Sequence, residues 1–79
     1  MAESNVARVL DLKGLPCPMP VVKISQEIGS VKVGEVIEVH TTDPGSLSDF
    51  PAWAKTTGQE VLETKQGDGV IQIFVKRLK

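Results

Sequence analysis

The chain has 79 residues, of which 41% are hydrophobic and 24% are charged. This length leaves room for one domain, which we expect to span residues 1–79 with an ordered core from about 9 to 77, and the composition is typical of a folded protein. Nine basic and ten acidic side chains leave a formal charge of −1, which argues against a nucleic-acid-binding surface, and the sequence has no run of about 18 apolar residues that could cross a membrane, so we expect a cytoplasmic protein.

Two strands and a helix are predicted in the first half of the chain. Apolar and polar residues alternate over Arg8–Leu12, and Gly14 ends this strand. From Pro18 the apolar residues recur at helical spacing until Gly29, which we expect to end the helix. Val36–Thr41 alternates again, which predicts a second strand with its charged and histidine side chains facing outward.

A second helix is predicted after a turn-forming segment. Ser46 and Asp49 are three residues apart and resemble a capping box, which makes Ser46 the expected N-cap. Pro51 requires either an irregular first turn before it or a helix that starts at Pro51 itself. Gly58 ends the helix, and Trp53 is expected to pack in the core because the chain has few aromatic residues.

The last two predicted strands form a hairpin. Glu60–Lys65 and Val70–Val75 alternate, and Asp68-Gly69 between them provides residues that accept the positive φ angles of a tight turn. The element order is therefore β-α-β-α-β-β, with the first two strands parallel and the last two antiparallel. We expect an α/β (α+β) two-layer sandwich, in which both helices pack on one face of a four-stranded mixed sheet.

The segment Leu15–Pro20 has a composition that ordinary packing does not explain. Prolines alternate with Cys17 and Met19 where the first strand leads into the first helix. The first N–H groups of a helix have no partner within the helix, so Pro18 and Pro20 fit its first turn without the loss of a backbone bond. Cys17 is then expected at or just before the N-cap.

A cysteine at that position is a candidate nucleophile. The helix dipole and a free N–H such as that of Met19 favour the thiolate of Cys17, although the dipole alone lowers the pKa by under about one unit. A larger decrease in the pKa needs a nearby cation, for which Lys13 and Lys23 are the candidates. Because the chain has one cysteine, it has no internal disulfide and no zinc site of the usual spacing, and we expect neither a metal nor a cofactor.

Several bland or competing interpretations stay open. Cys17 could be a small buried hydrophobic residue, and His40 could either be solvated or act with Cys17 as in a Cys–His hydrolase. Asp43 is expected to serve the turn, but its loop lies at the same sheet edge as Cys17, so it is also a possible neighbour of the site. The basic residues at 76, 77 and 79 are expected to form a solvated chain end.

From about Val9 to Lys76 the sequence resembles the small sulfur-carrier family that includes TusA, SirA and YedF. The specific part of the resemblance is the CPxP motif at Cys17–Pro20, preceded by the lead-in Leu12–Leu15. A second matching block consists of Asp43-Pro44 and the segment from Asp49 to Trp53. The resemblance implies the two-layer fold predicted above, and it identifies Cys17 as the sulfur-bearing residue, with Pro18 and Pro20 shaping the turn that presents it.

The function implied by the resemblance is that of a sulfur carrier. Cys17 would accept a sulfane sulfur as a persulfide from a donor such as a cysteine desulfurase or a rhodanese and pass it to a sulfur-accepting protein, in tRNA thiolation, sulfur oxidation or another branch of sulfur trafficking. We expect a monomer whose partners contact Leu15, Pro16 and Met19. The competing hypothesis is a small RNA-binding or regulatory module in which Cys17 is structural.

Overall fold

The computed structural model of the chain describes residues 6–16 and 19–79; Met1–Asn5, Cys17 and Pro18 lie outside the described residues. The described elements follow the predicted order β-α-β-α-β-β, with a short 3₁₀ turn after the first helix. Their bounds are β1 (Val6–Asp11), α1 (Met19–Glu27), the 3₁₀ turn (Ile28–Ser30), β2 (Val36–Thr41), α2 (Ser46–Thr57), β3 (Glu60–Gly67) and β4 (Val70–Lys76).

The four strands form one mixed sheet in the order β1-β2-β4-β3. β1 is parallel to β2, and β4 is antiparallel to both of its neighbours, β2 and β3. Both helices pack against one face, which confirms the two-layer sandwich. In this topology the ends of β1 and β2 lie side by side, and each is followed by a loop that leads into a helix.

The core lies between this inner face of the sheet and the two helices. Ile37 and Val39 of β2 face inward and pair across the sheet with Val75 and Ile73 of β4, and all four are fully buried. The helices contribute their buried apolar positions to the same cluster, whose helical members are Ile24, Phe50, Trp53 and Ala54. The alternation seen in the sequence therefore identified the buried face of β2.

The first helix ends differently from the prediction. Gly29 lies inside the 3₁₀ turn that follows α1 and does not adopt a positive φ angle, so the expectation that it forms a C-cap is wrong. Ser30 Oγ donates instead to the backbone oxygen of Glu27 at 2.6 Å. A tighter turn with a side-chain hydroxyl thus satisfies a carbonyl that a glycine cap would otherwise have served.

The predicted capping box of α2 is also wrong. Ser46 is buried inside the first turn of the helix. The N-cap is Gly45, which has no side chain with which to cap the helix. The N–H groups of Ser46, Leu47 and Ser48 donate to carbonyls three residues back, and a bond of α-helical spacing first appears at Asp49. An irregular first turn therefore precedes Pro51, which confirms the first of the two alternatives for this proline. At the other end, Gly58 ends the helix with a φ of 80°.

The hairpin and the chain end bring one confirmation and one correction. Asp68 and Gly69 both have positive φ angles, 53° and 76°, as the prediction of a tight two-residue turn required. Arg77 is not part of a solvated chain end, because its guanidinium donates to the carbonyls of Val31 and Lys79 and its backbone pairs with residues 34 and 35. That part of the expectation is wrong.

Candidate functional site

The candidate site is the loop between β1 and α1, at the edge of the sheet where the two parallel strands end. The N–H of Leu12 donates to the carbonyl of His40 at 2.7 Å, which extends the pairing of β1 with β2 by one bond. Two residues later, the N–H of Gly14 donates to Thr42 Oγ1 at 2.9 Å. The loop is therefore held to the end of β2 from its first residues onward.

Beyond Gly14 the loop divides into a packed part and an exposed part. Gly14 has a φ of 82°, a conformation that glycine adopts without a steric penalty. Leu15 is half-buried and packs against the core, so packing already uses much of the side chain that we expected to contact partners. Pro16 and Met19 are exposed on either side of the motif cysteine.

Cys17 and Pro18 lie outside the described residues, so their expected places at the N-cap and in the first turn stay predictions. The surroundings of the motif do correct one detail. The N–H of Met19 donates to the carbonyl of Pro16 at 2.9 Å. It is therefore not the free donor to sulfur that the sequence suggested.

Pro20 lies in the first turn of α1, as predicted, where its missing N–H removes no helical bond. Its side chain is also fully buried, which the sequence did not indicate. The last proline of the motif thus has two roles, since it permits the helix to start at Met19 and its ring fills a buried position at the start of α1.

The two candidate cations have different surroundings. Lys13 is exposed, and its Nζ lies 4.0 Å from Oδ1 of Asp11, an ion pair too exposed to contribute much free energy. Lys23 is half-buried on α1 and forms no ion pair with any residue in the ranges 6–16 and 19–79. Lys23 is therefore the less committed of the two positive charges.

Asp43 shapes the loop after β2. Its Oδ1 accepts the N–H of Gly45 at 3.1 Å, and its own N–H donates to Thr41 Oγ1 at 3.2 Å, so the expected turn role is confirmed. Its second carboxylate oxygen, Oδ2, is buried and has no hydrogen-bond partner among the residues that the structure describes. A buried acceptor without a donor is unusual enough in a folded protein to call for an explanation.

The match to known families bears on this loop directly. The family model described as Sulfurtransferase TusA matches residues 8–77 and so spans the motif, both helices and the whole sheet. The chain belongs to the TusA family of sulfur carriers. The loop between β1 and α1, called the carrier loop below, lies within the matched range.

Relatives of this TusA-family chain carry the same description. It is 42% identical over 79 residues to a putative sulfur carrier protein of Halobacterium salinarum, covering 99% of this chain and 98% of that one. It is 40% identical over 68 residues to the sulfur carrier protein TusA of Allochromatium vinosum, covering 86% and 90%. The putative sulfur carrier protein YrkF of Bacillus subtilis is 48% identical over 69 residues, covering 87% of this chain, which spans only 37% of YrkF.

A solved structure has the same fold. The SirA-like protein of Desulfitobacterium hafniense superimposes with a TM-score of 0.78 over 91% of this chain and 99% of its own, at 23% sequence identity. At that identity the likeness concerns the arrangement of the TusA-like sheet and helices. It supports the two-layer architecture independently of the family model.

One exposed apolar residue near the TusA motif escaped the sequence reasoning. Val22 lies one turn after Met19 on α1, and the two side chains are 38% and 37% exposed. Residues three apart are neighbours on a helix surface, so Met19 and Val22 lie side by side. Pro16 is exposed and its carbonyl accepts the N–H of Met19, and we call these three residues the apolar strip. The spacing from Met19 was the signal that could have identified Val22.

The outer face of the sheet, which carries no helix, bears on two alternatives. His40 lies there, as predicted, but it is half-buried and its Nε2 contacts Oε2 of Glu38, which gives a Cys–His hydrolase no support among the described residues. Phe74 also faces outward, yet it is 1% exposed, and Lys65 Nζ lies 5.4 Å from its ring centroid. Trp53 is buried in the core, which confirms its expected packing role.

Two shallow hollows lie near the hairpin. One, of about 250 Å³, is bounded by Thr42 and Pro44 on one side and by the hairpin residues on the other. The second, of about 180 Å³, lies along the hairpin at Lys65 and Gln72. Within residues 6–16 and 19–79, no group of three or more His, Cys, Asp and Glu side chains is arranged to hold a metal ion, and none of the helices there is long and apolar enough to cross a membrane.

Proposed function

We propose that Cys17 accepts a sulfane sulfur as a persulfide and hands it to a second protein. In the first step the Cys17 thiolate attacks the outer sulfur of a donor persulfide, the donor's S–S bond breaks, and the donor leaves as a thiolate. In the second step the thiolate of the acceptor attacks the outer sulfur of the Cys17 persulfide. The S–S bond of that persulfide breaks, and Cys17 leaves as a thiolate. Each step exchanges one S–S bond for another, so no external oxidant or reductant is consumed.

The observation that carries this proposal is the place of the CPxP motif in a chain of the TusA family. The loop follows the end of a parallel strand and is anchored by the bonds from Leu12 and Gly14, and the residues on both sides of the motif cysteine, Pro16 and Met19, are exposed. A carrier needs a sulfur that partner proteins can reach. An anchored loop with exposed flanks suits that need better than a buried structural cysteine does.

We place the partner contact on the apolar strip of Pro16, Met19 and Val22. These residues are exposed next to the motif, and Met19 adapts its unbranched side chain to surfaces of different shape. Half-buried Lys23 adds a positive charge beside the strip. A transient interface of this kind buries less than about 1,200 Å² in total, so a few apolar anchors supply most of its affinity.

Two further features belong to the same proposal. Asp43 is a candidate neighbour of the site, because its Oδ2, which no described residue contacts by a hydrogen bond, belongs to the loop that runs beside the carrier loop. The donor is a cysteine desulfurase or a rhodanese, and the acceptor belongs to a branch of sulfur trafficking such as tRNA thiolation or sulfur oxidation. We propose the cytoplasm as the compartment, because a lone reactive thiol is kept reduced there.

The RNA-binding alternative loses support from the outer sheet face. Recognition of single-stranded RNA by a sheet relies on exposed aromatic rings on which bases stack. Phe74 is covered, and the register places Glu38 and Glu63 on the strands to either side of it. Two carboxylates next to the ring would repel a phosphate backbone.

The test is intact-mass analysis after incubation with a cysteine desulfurase and cysteine, and separately with a rhodanese and thiosulfate. We expect the wild type to gain an adduct of about 32 Da that a reductant removes, and Cys17→Ser to gain none. As a matched control, the double variant Cys17→Ser/Ser25→Cys carries its one thiol at an exposed position of α1, away from the motif. It should load at least about tenfold more slowly, because it lacks the motif surroundings.

Two results would refute the proposed function. A wild type that remains unloaded by both donors would show that Cys17 is not a carrier site for these sulfur sources. Equal loading of the displaced cysteine would show that any exposed thiol reacts, so that the motif contributes nothing.

A further inference from the structure

Among the residues that the structure describes, Thr42 is the one residue outside β1 whose side chain forms a hydrogen bond with residues 12–16. Its Oγ1 accepts the N–H of Gly14 at 2.9 Å, across a separation of 28 residues in sequence. Thr42 follows β2 directly, and its side chain is exposed. The bond therefore adds little to the core and acts on the carrier loop.

The bond is made at the residue where the loop is most free to turn. Gly14 lacks a side chain and has a φ of 82°, so it allows more backbone rotation than any other residue type would. The three prolines at positions 16, 18 and 20 restrict the next part of the chain to a narrow range of φ. Gly14 is thus the residue with the widest backbone freedom between the end of β1 and packed Leu15, and a constraint on its N–H limits how the loop leaves the strand toward the motif.

We propose that Thr42 is a positioning residue for sulfur transfer: by holding the N–H of Gly14, it orients the loop that presents Cys17. This inference rests on the proposed carrier function and adds to it a residue outside the motif. Attack on a persulfide requires the nucleophile and both sulfurs to lie nearly in line. A displacement of about 1 Å can slow such a step by up to about 100-fold.

The proposal predicts an effect on turnover without an effect on docking. Thr42→Val keeps the shape of the side chain but removes the acceptor, and water can take over the exposed N–H of Gly14, so the fold should persist. We expect the rate of sulfur transfer at saturating donor to fall by about tenfold, while the KM for the donor and the rate of Cys17 alkylation by iodoacetamide change by less than about twofold. Thr42→Ser retains the hydroxyl and should restore the wild-type rate.

The matched control is Thr64→Val, which makes the same replacement at an exposed position of β3. It should transfer sulfur at the wild-type rate. Amide hydrogen exchange at Gly14, measured by NMR, reports the bond itself: exchange should be faster in Thr42→Val and return to the wild-type rate in Thr42→Ser. This readout does not depend on any sulfur chemistry.

The outcomes separate the two proposals. If the wild type does not load sulfur, the carrier function is wrong, and the positioning role is wrong with it. If the wild type loads and Thr42→Val transfers at the wild-type rate despite faster exchange at Gly14, the positioning role alone is refuted. A rise in KM with an unchanged maximal rate would also refute it, because Thr42 would then contribute to docking.

Discussion

Pro20 offers a test in which the three-dimensional structure changes the expected magnitude. Judged from the sequence, Pro20→Ala should cost under about 1 kcal/mol, because a proline in the first turn of a helix breaks no hydrogen bond and alanine is a good helix former. In the structure the side chain of Pro20 is fully buried at the start of α1. The substitution therefore also removes apolar volume from a packed site.

The cost is the sum of two contributions. Removing two buried ring methylene groups costs about 1.6 kcal/mol, at about 0.8 kcal/mol for each. Relieving the restriction that proline places on the unfolded chain costs a further ~0.4–1 kcal/mol. The free energy of unfolding should thus fall by about 2–2.5 kcal/mol, which lowers the melting temperature of a domain of this size by roughly 8–20 °C.

The assay is urea unfolding monitored by circular dichroism, with a thermal melt as a second measurement. Pro51→Ala is the matched control, because this proline lies inside α2 and its side chain is exposed. Its replacement leaves no cavity and restores a backbone donor within the helix, so stability should not fall by more than about 0.5 kcal/mol. A loss below about 1 kcal/mol for Pro20→Ala, which the unfolded-chain contribution alone would account for, would refute the packing argument.

Two further predictions concern the surroundings of the motif. Met19→Glu should weaken docking on the sulfur donor by at least about tenfold, measured by calorimetry, because it puts a charge into an apolar contact. The control is Val33→Glu, at an exposed site in the loop before β2. Equal weakening by both substitutions would argue against a contact at Met19. Asp43→Ala should lower the free energy of unfolding by about 1 kcal/mol, because the N–H of Gly45 loses its acceptor at the start of α2. Asp43→Asn keeps an acceptor for this N–H. If its free energy of unfolding falls as much as that of the alanine variant in the same urea titration, the lost charge rather than the lost acceptor causes the destabilisation.

Local features of the chain were predictable where the physical cause is local. Strand alternation identified the buried face of β2, because successive side chains point to opposite sides of a strand. Asp68 and Gly69 indicated their turn, because few residue types accept positive φ angles. Where two ways of ending a helix compete, the local pattern did not decide between them, and the predicted caps at Gly29 and Ser46 were wrong. A 3₁₀ turn and a glycine N-cap are found instead.

The sequence by itself determined the element order, the two-layer class and the candidate nucleophile, because periodicity, turn residues and a short motif are properties of neighbouring positions. The tertiary structure decided which residues surround that motif. Thr42 meets Gly14 only because β1 and β2 lie side by side in parallel, and Pro20 is buried only because α1 packs on the sheet. Contacts between residues far apart in the chain depend on how whole elements pack, and no local pattern in the sequence encodes that packing.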